Sequence, residues 1–334
     1  MEEETPIENR YQQLLDALPR PHHIEQNVLL RLHTTLRVGG PADLFYNATA
    51  IEGLAQIASL AHQFNVPMFM LGFGSNMVVS DLGIRGLVIL NNCKSCEPGE
   101  ITYAEAGICF QDLFLKTAQQ GLSGLEFAVG IPGTLGGALV SNAGAYRSNI
   151  ADLLIDIDLV TEGQRMTVSP DWMDFSYRDS RLRRPGAPPT VLLAARLKLQ
   201  SGDRQEIFAK ARSFQEQRTL KQPVECSAGS YFKNVSNNEL AQNLPDLPQA
   251  MKDAGVVPAG YLISTCGLKG AQIGGAEVSP KHANFLINVS HATAGDMRNL
   301  AFLVKQRVQE RFKVELEEEV IYAGDWSHWK PEIG

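Results

Sequence analysis

Cysteine is scarce in this chain of 334 residues: there are five, an odd number, and one pair, Cys93 and Cys96 in "NNCKSCEPGE", makes a CxxC. A structural zinc site takes four ligands, and no second CxxC or Cys/His pair follows at suitable spacing. The pair therefore reads as a turn between strands carrying two reduced thiols, and neither a disulfide framework nor a metal is expected. Net positive charge is missing as well. Thirty Lys and Arg stand against 37 Asp and Glu, a formal net charge of −7, which argues against a general nucleic-acid binder while leaving room for a local basic pocket. No apolar run approaches the roughly 20 residues of a membrane span. The opening "MEEETPIENRYQQLLDALP" has acidic residues where a secretory leader would be basic. Internal repeats and low-complexity tracts are also lacking. These absences leave a cytoplasmic globular chain with small-molecule partners, no membrane or nucleic-acid contact and no obligate protein partner, long enough for two or three domains of roughly 100–200 residues.

The patterning that is present alternates. Tyr11, Leu14, Leu15 and Leu18 at helical spacing predict a short amphipathic helix stopped by "PRPHH". From Thr35 to about Asn92, strands at "DLFYNA", "PMFMLG" and "GLVIL" surround a helix over "IEGLAQIASLAHQFN", the mark of an α/β unit. Short β-rich runs follow at "ITYAEAG", "IDIDLVT", "RMTVS" and "TVLLAARLKLQ". Next comes a helix over "DRQEIFAKARSFQEQRTLKQP", ended by Pro223. The last third predicts a helix at "TAGDMRNLAFLVKQRVQERF" and a final strand around "ELEEEVIYAG".

Chemistry is suggested first by bare backbone. "LGFGSNMVVSD" (71–81) gathers Gly72, Gly74, Ser75 and Asn76, a turn whose N–H groups can converge on an anion, although Gly-Ser-Asn is also ordinary turn chemistry. It is not a dinucleotide fingerprint, because no GxGxxG opens a helix there. A second loop, "GIPGTLGGALVSNAGAY" (130–146), is glycine-rich and carries no charged residue. Either loop alone could be a tight bend. Two of them, each read as flanked by strands, suggest a long ligand held against backbone at both ends, most commonly a dinucleotide, whose pyrophosphate can be bound by amides without Lys or Arg.

The ordered series "TTLRVGGPADLF", "LGFGSNMVVSD", "GLEFAVGIPGTLGGALVSNAGAY", "FSYRDS", "SAGSYFKN", "GLKGAQIGGAEVSPKHANFLIN" and "LEEEV", spanning about residues 33–324, resembles the UDP-N-acetylenolpyruvoylglucosamine reductase family, in its shorter subclass. The resemblance implies an α+β fold: a two-part FAD-binding module of the vanillyl-alcohol-oxidase (PCMH) type and a C-terminal α+β substrate domain. It places an N-terminal helical extension at 1–30, FAD-binding subdomains at 31–92 and 93–205, a substrate-binding domain at 206–312 and a C-terminal strand with tail at 313–334. Its cofactor is non-covalent FAD, with NADPH as co-substrate and UDP-N-acetylglucosamine enolpyruvate as substrate, in peptidoglycan precursor synthesis. Gly72, Gly74, Ser75 and Asn76 would meet FAD, as would Gly130, Ile131, Pro132, Gly133, Thr134, Gly136, Gly137 and Asn142.

Reducing an enolpyruvyl ether leaves charge on the carboxyl group as an enolate and calls for a proton at the other carbon, so the protein must stabilise that charge, position a proton donor and anchor the diphosphate. Arg178 in "SYRDS" matches the family's arginine for the carboxylate; read alone it could be a surface ion pair with Asp174 or Asp179. Ser230 in "AGSYFKN" matches its proton donor, and Glu319 in "LEEEV" its catalytic carboxylate, flanked by Glu317 and Glu318. On a strand, Glu317 and Glu319 share one face and Glu318 takes the other. Tyr177, Lys221, Lys233 and Asn234 are the substrate-binding candidates. His282 reads as a structural hydrogen-bonder.

Departures from the family pattern are Val235 for a proline, Ile321 for an arginine and Ser141 for a methionine; none removes a catalytic group. Little room separates Arg178 from "TVLLAARLKL" for the longer subclass's tyrosine-bearing loop, which implies a more open nucleotide-sugar site. An alcohol oxidase on the same module would often tether its flavin to a His or Cys after "RVGG", where Pro41 stands. A flavin-binding regulator would lack one of the three catalytic groups.

Overall fold

In the computed structural model, which describes residues 6–19 and 23–331, the predicted amphipathic helix is Ile7–Ala17, and the "PRPHH" stop lies mostly outside the described residues. The described chain divides into two compact units. The first holds the described residues up to Val28 together with Ala42–Phe73 and Arg85–Arg218; the second holds Leu29–Pro41, Gly74–Ile84 and the described residues from Thr219 on. This division differs from sequence order, which placed 31–92 in one subdomain and began the substrate domain at 206.

Two sheets organise the first unit. One runs in the order Ile24–Leu29, Pro41–Ala48, Ile84–Asn91, Met68–Leu71, its last pair parallel, so residues 24–29, expected in a helical extension, form an edge strand. The other is antiparallel, in the order Gln164–Val168, Leu154–Thr161, Thr190–Lys198, Ile101–Glu105, Cys96–Glu97. Its central strand, Thr190–Lys198, is apolar on both faces because two cores flank it. Val191 and Leu193 join Leu54, Ile57, Ala58 and Ala61 of helix Ile51–Gln63, whereas Leu192, Ala195 and Leu197 join Phe110, Phe114 and Phe127. A near-continuous apolar run is what such a doubly buried strand requires.

The second unit pairs Cys226–Ser227, Leu286–Asn288, Ala276–Val278 and Gln272–Ile273 in an antiparallel sheet beside the long helix Ala294–Phe312. That helix buries Ala294, Met297, Leu300, Ala301, Val304 and Val308, a three-and-four spacing that marks its core face. Thr293 and Asp296 cap it reciprocally, and the Asp81 carboxylate accepts from the N–H groups of Ala294 and Gly295 at 3.0 Å each. Residues 235–257 are a folded excursion closed by the pairing of Val235 with Val257, and Ala241, Leu244 and Leu247 within it enter the core.

Two expectations are corrected. The second glycine-rich loop is not simply flanked by strands: it contains the helix Leu135–Val140, because Thr134 supplies an N-cap whose Oγ1 accepts from Gly137 N–H at 3.2 Å. The final strand is also shorter than "ELEEEVIYAG". Only Ile321–Ala323 pairs, parallel to Met77–Val79, and before it Glu318 makes a single bridge to Phe232.

Candidate active site

In the first unit the two glycine-rich stretches meet at Gly72. A Cβ added there would stand 2.7 Å from Thr134 Oγ1, so glycine leaves room for the Thr134 side chain against this backbone. Leu135 N–H donates to Ile108 C=O (2.9 Å) and Gly136 N–H to Ala106 C=O (2.7 Å), which fixes the loop to the sheet. Gly130 N–H is held by Gln111 Oε1 at 3.2 Å, and Gly133 C=O accepts from Phe110 N–H at 2.9 Å. Ile131 and Pro132 complete this turn. Asn142, at φ 43°, donates from Nδ2 to Ser176 C=O at 2.9 Å, while its Oδ1 is buried with no protein donor. Buried acceptors are normally satisfied, so this oxygen suits a hydroxyl or N–H of a bound group such as FAD.

Arg178 sits in a tight turn closed by mutual Ser176 and Asp179 backbone bonds, at φ 54°, a conformation uncommon outside glycine. Its Nη2 donates to Gly144 C=O at 2.5 Å. Nearby, Arg184 bonds Asp179 at 2.7 Å and also pairs with Asp174. Tyr177 beside it is 61% exposed. Sequence reading missed Arg218. It belongs to the same unit, its guanidinium carbon lies 5.6 Å from the centre of the Tyr146 ring, and Tyr146 stacks on Phe214 at 3.7 Å. Burial, with a further contribution from Arg178, pushes its guanidinium below the ordinary arginine range, and its Nε is buried without a partner. Two mutually repelling cations make a place for an anion. Nothing local in "QEQRTLK" marks Arg218, because the partner that reveals it lies 40 residues away in the chain.

In the second unit Gly74, at φ 58°, fits where a Cβ would stand 2.5 Å from His33 C=O. Ser75 follows it in the turn. Asn76 Nδ2 donates to Glu319 C=O at 3.2 Å, and its own C=O accepts from Ile321 N–H, so this cofactor candidate anchors the segment of the candidate Glu319. Ser230 and Glu319 are brought together along adjoining rows: Glu319 N–H donates to Tyr231 C=O and Lys233 N–H to Glu317 C=O, both at 2.8 Å. Buried Asn284 locks the first row by exchanging two hydrogen bonds with the Phe232 backbone. The glutamate run is sorted by partner. Glu317 pairs with Lys233 at 2.6 Å, the lysine being 15% exposed, and Glu318 pairs with Lys305 at 2.9 Å.

Asn234 Oδ1 accepts from Ala259 N–H at 3.3 Å, and Lys221 ends helix Arg204–Lys221, exposed. His282 is held below the usual imidazole range by burial, with Lys269 and Lys221 adding to it, and its Nδ1 accepts from Asn284 N–H at 3.3 Å. Among the described residues no His, Cys, Asp and Glu group could hold a metal, and no helix is long and apolar enough to cross a membrane.

Interlocked glycine-rich loops with an orphan acceptor define a flavin-nucleotide-binding module, and residues 42–168 match the family model for an FAD binding domain. Residues 221–323 match the model for the UDP-N-acetylenolpyruvoylglucosamine reductase C-terminal domain. The reductase of that name from Syntrophomonas wolfei is 36% identical over 326 residues, covering 94% of this chain and 99% of the relative. That from Rubrobacter xylanophilus is 39% identical over 300 residues, covering 89% and 94%. The crystal structure of the Thermus caldophilus enzyme superposes with a TM-score of 0.73 at 33% identity, covering 90% of this chain and 99% of that one. The chain belongs to the UDP-N-acetylenolpyruvoylglucosamine reductase family, and it is an FAD-dependent oxidoreductase.

Proposed function

We propose that the chain reduces the enolpyruvyl ether of UDP-N-acetylglucosamine enolpyruvate to UDP-N-acetylmuramate, with electrons from NADPH, in the cytoplasm where such nucleotide sugars are made. Gly72, Gly74, Ser75, Asn76, Gly130, Ile131, Pro132, Gly133, Thr134, Gly136, Gly137 and Asn142 hold FAD. When bound, FAD supplies the hydride. Arg178, seconded by Arg218, faces the substrate carboxylate and stabilises the negative charge that develops there. Ser230 delivers the proton to the carbon bearing that charge. A serine hydroxyl is a weak acid, so its contribution rests on placement and on the basicity of the enolate carbon. Glu319 completes the set as a protonated acid that polarises the enolate. Tyr177, Lys221, Lys233 and Asn234 serve the substrate's remaining polar and anionic groups, Lys as a point charge.

The observation that carries this reading is the bond from Glu319 N–H to Tyr231 C=O, which sets Ser230 and one of three consecutive glutamates on adjoining rows. The test separates half-reactions. The purified protein should be yellow, release its flavin on acid treatment, bleach with NADPH without oxygen, and regain colour with the enolpyruvyl sugar. Arg178→Ala should bleach normally and recover on the order of 100- to 1000-fold more slowly. Flavin that stays on the denatured chain, or equal slowing of both steps, would refute it.

A further inference from the structure

Tyr231 is fully buried, directly follows Ser230, and its hydroxyl meets that of Tyr322 at 3.1 Å. Tyr322 stands three residues beyond Glu319. Its ring touches both the Arg298 guanidinium, 4.8 Å from its centre, and the edge-on ring of Trp326 at 5.4 Å, and the same guanidinium lies 4.6 Å from the centre of the Trp326 ring. The two rows that present Ser230 and Glu319 are joined by the bridge of Phe232 with Glu318 and the backbone bonds on either side of it. Burial of Leu316 and Val320 excludes a gross slip of the glutamate run. Hydrophobic contact is non-directional, however, and leaves small displacements along and between the rows nearly free. The ion pair Lys233–Glu317 does little to remove that freedom, since Glu317 is 71% exposed and a flexible lysine follows its carboxylate, and Lys305–Glu318 ties the glutamate row to helix Ala294–Phe312 rather than to the serine row. A hydrogen bond between two rigid phenols is directional, and it ties one row to the other behind the reacting groups.

Resting on the reading above, we propose that Tyr231 and Tyr322 are positioning residues: their hydroxyl pair sets the spacing between Ser230 and Glu319 to the tolerance that proton delivery needs. The pair has no need to exist for stability. Two phenylalanines would fill the same space, and exchanging both partners of a buried hydrogen bond for apolar groups of the same shape is nearly neutral, whereas exchanging one strands the other hydroxyl. Misplacement of a reacting group by about 1 Å can lower a rate on the order of 100-fold, so loosening short of that should be felt as several-fold.

The experiment compares Tyr231→Phe, Tyr322→Phe and the double variant in the full-length, FAD-loaded protein, with Ser230→Ala and Glu319→Gln as reference variants. In the double variant the denaturation midpoint should match the parent, flavin reduction by NADPH and the apparent affinity for the sugar should be unchanged, and the saturating rate of reoxidation should fall roughly five- to tenfold. Both single variants should show the same slowing and also be less stable. A double variant that reoxidises at the parental rate overturns the proposal, as does slowing that tracks the loss of stability from one variant to the next. Parental reoxidation in Ser230→Ala and Glu319→Gln would instead overturn the functional reading, and the positioning role with it.

Discussion

The glycine-rich run at 130–142 and the glutamate run at 317–319 are both chemically monotonous, yet they work in opposite ways. In the first, function comes from side chains that are missing: its Thr134 fits only because Gly72 of the facing loop lacks a Cβ, and a single carbon added at Gly72 would collide with it. In the second there are three equivalent side chains, told apart by their partners: Lys233 pairs with Glu317 and Lys305 with Glu318, and the proposed catalytic role falls to Glu319. Missing atoms can be counted in a sequence. Pairing cannot, because both lysines come from elsewhere in the chain.

The contrast can be broken most severely at Ser230. Ser230→Ala should keep FAD binding and reduction by NADPH while reoxidation by the enolpyruvyl sugar falls roughly 100- to 10,000-fold, with Ser230→Cys retaining more activity than the alanine variant. Stopped-flow absorbance of the flavin reads both steps, and parental reoxidation would return Ser230 to an ordinary turn residue. The glutamate run is sharpened by taking its members one at a time. Glu319→Gln should slow reoxidation on the order of 100-fold, whereas Glu318→Gln should leave it within a few-fold, since Lys305 retains Glu315 at 3.6 Å. Comparable losses in both would mean that the lysine pairing does not select the working carboxylate.

On the glycine side, Gly72→Val should weaken FAD roughly tenfold or more, because overpacking at Thr134 displaces the loop, and should leave the rate of the flavin-loaded fraction near parental. Flavin fluorescence titration measures the first and turnover per bound flavin the second; intact affinity would show that the two loops need not touch. The smallest effect is expected at Asp81, which lies in the same sequence motif but bonds the first N–H groups of helix Ala294–Phe312. Asp81→Ala should lower unfolding stability by about 1–2 kcal/mol in chemical denaturation without changing either half-reaction. A change in flavin affinity there would place Asp81 with the cofactor loop.

Much of the fold was legible because one-dimensional periodicity reports burial directly. The helix at 51–63 and the strands at 101–105, 154–161 and 190–198 lie close to where their apolar spacing puts them. The short helix at 135–140 was not legible, since six residues with two glycines carry no periodic signal and the decisive feature is one threonine cap. The final strand was overread for a related reason: "ELEEEVIYAG" alternates as a strand does, but before Ile321 its backbone makes only one bridge, and its acids turn to lysines.

By itself the sequence determined the composition of the loops, the family and the three candidate chemical groups, because residue identity and order are properties of the chain and the motif series is read in order. Tertiary structure decided the assignments that depend on neighbours distant in sequence. It set Arg218 near Arg178, bonded the Asn76 amide to the Glu319 backbone, left Asn142 Oδ1 without a protein donor, and joined Tyr231 to Tyr322 across 91 residues. Each of these depends on which polar groups stand close by, and distance between remote segments is fixed only when the cores around them close.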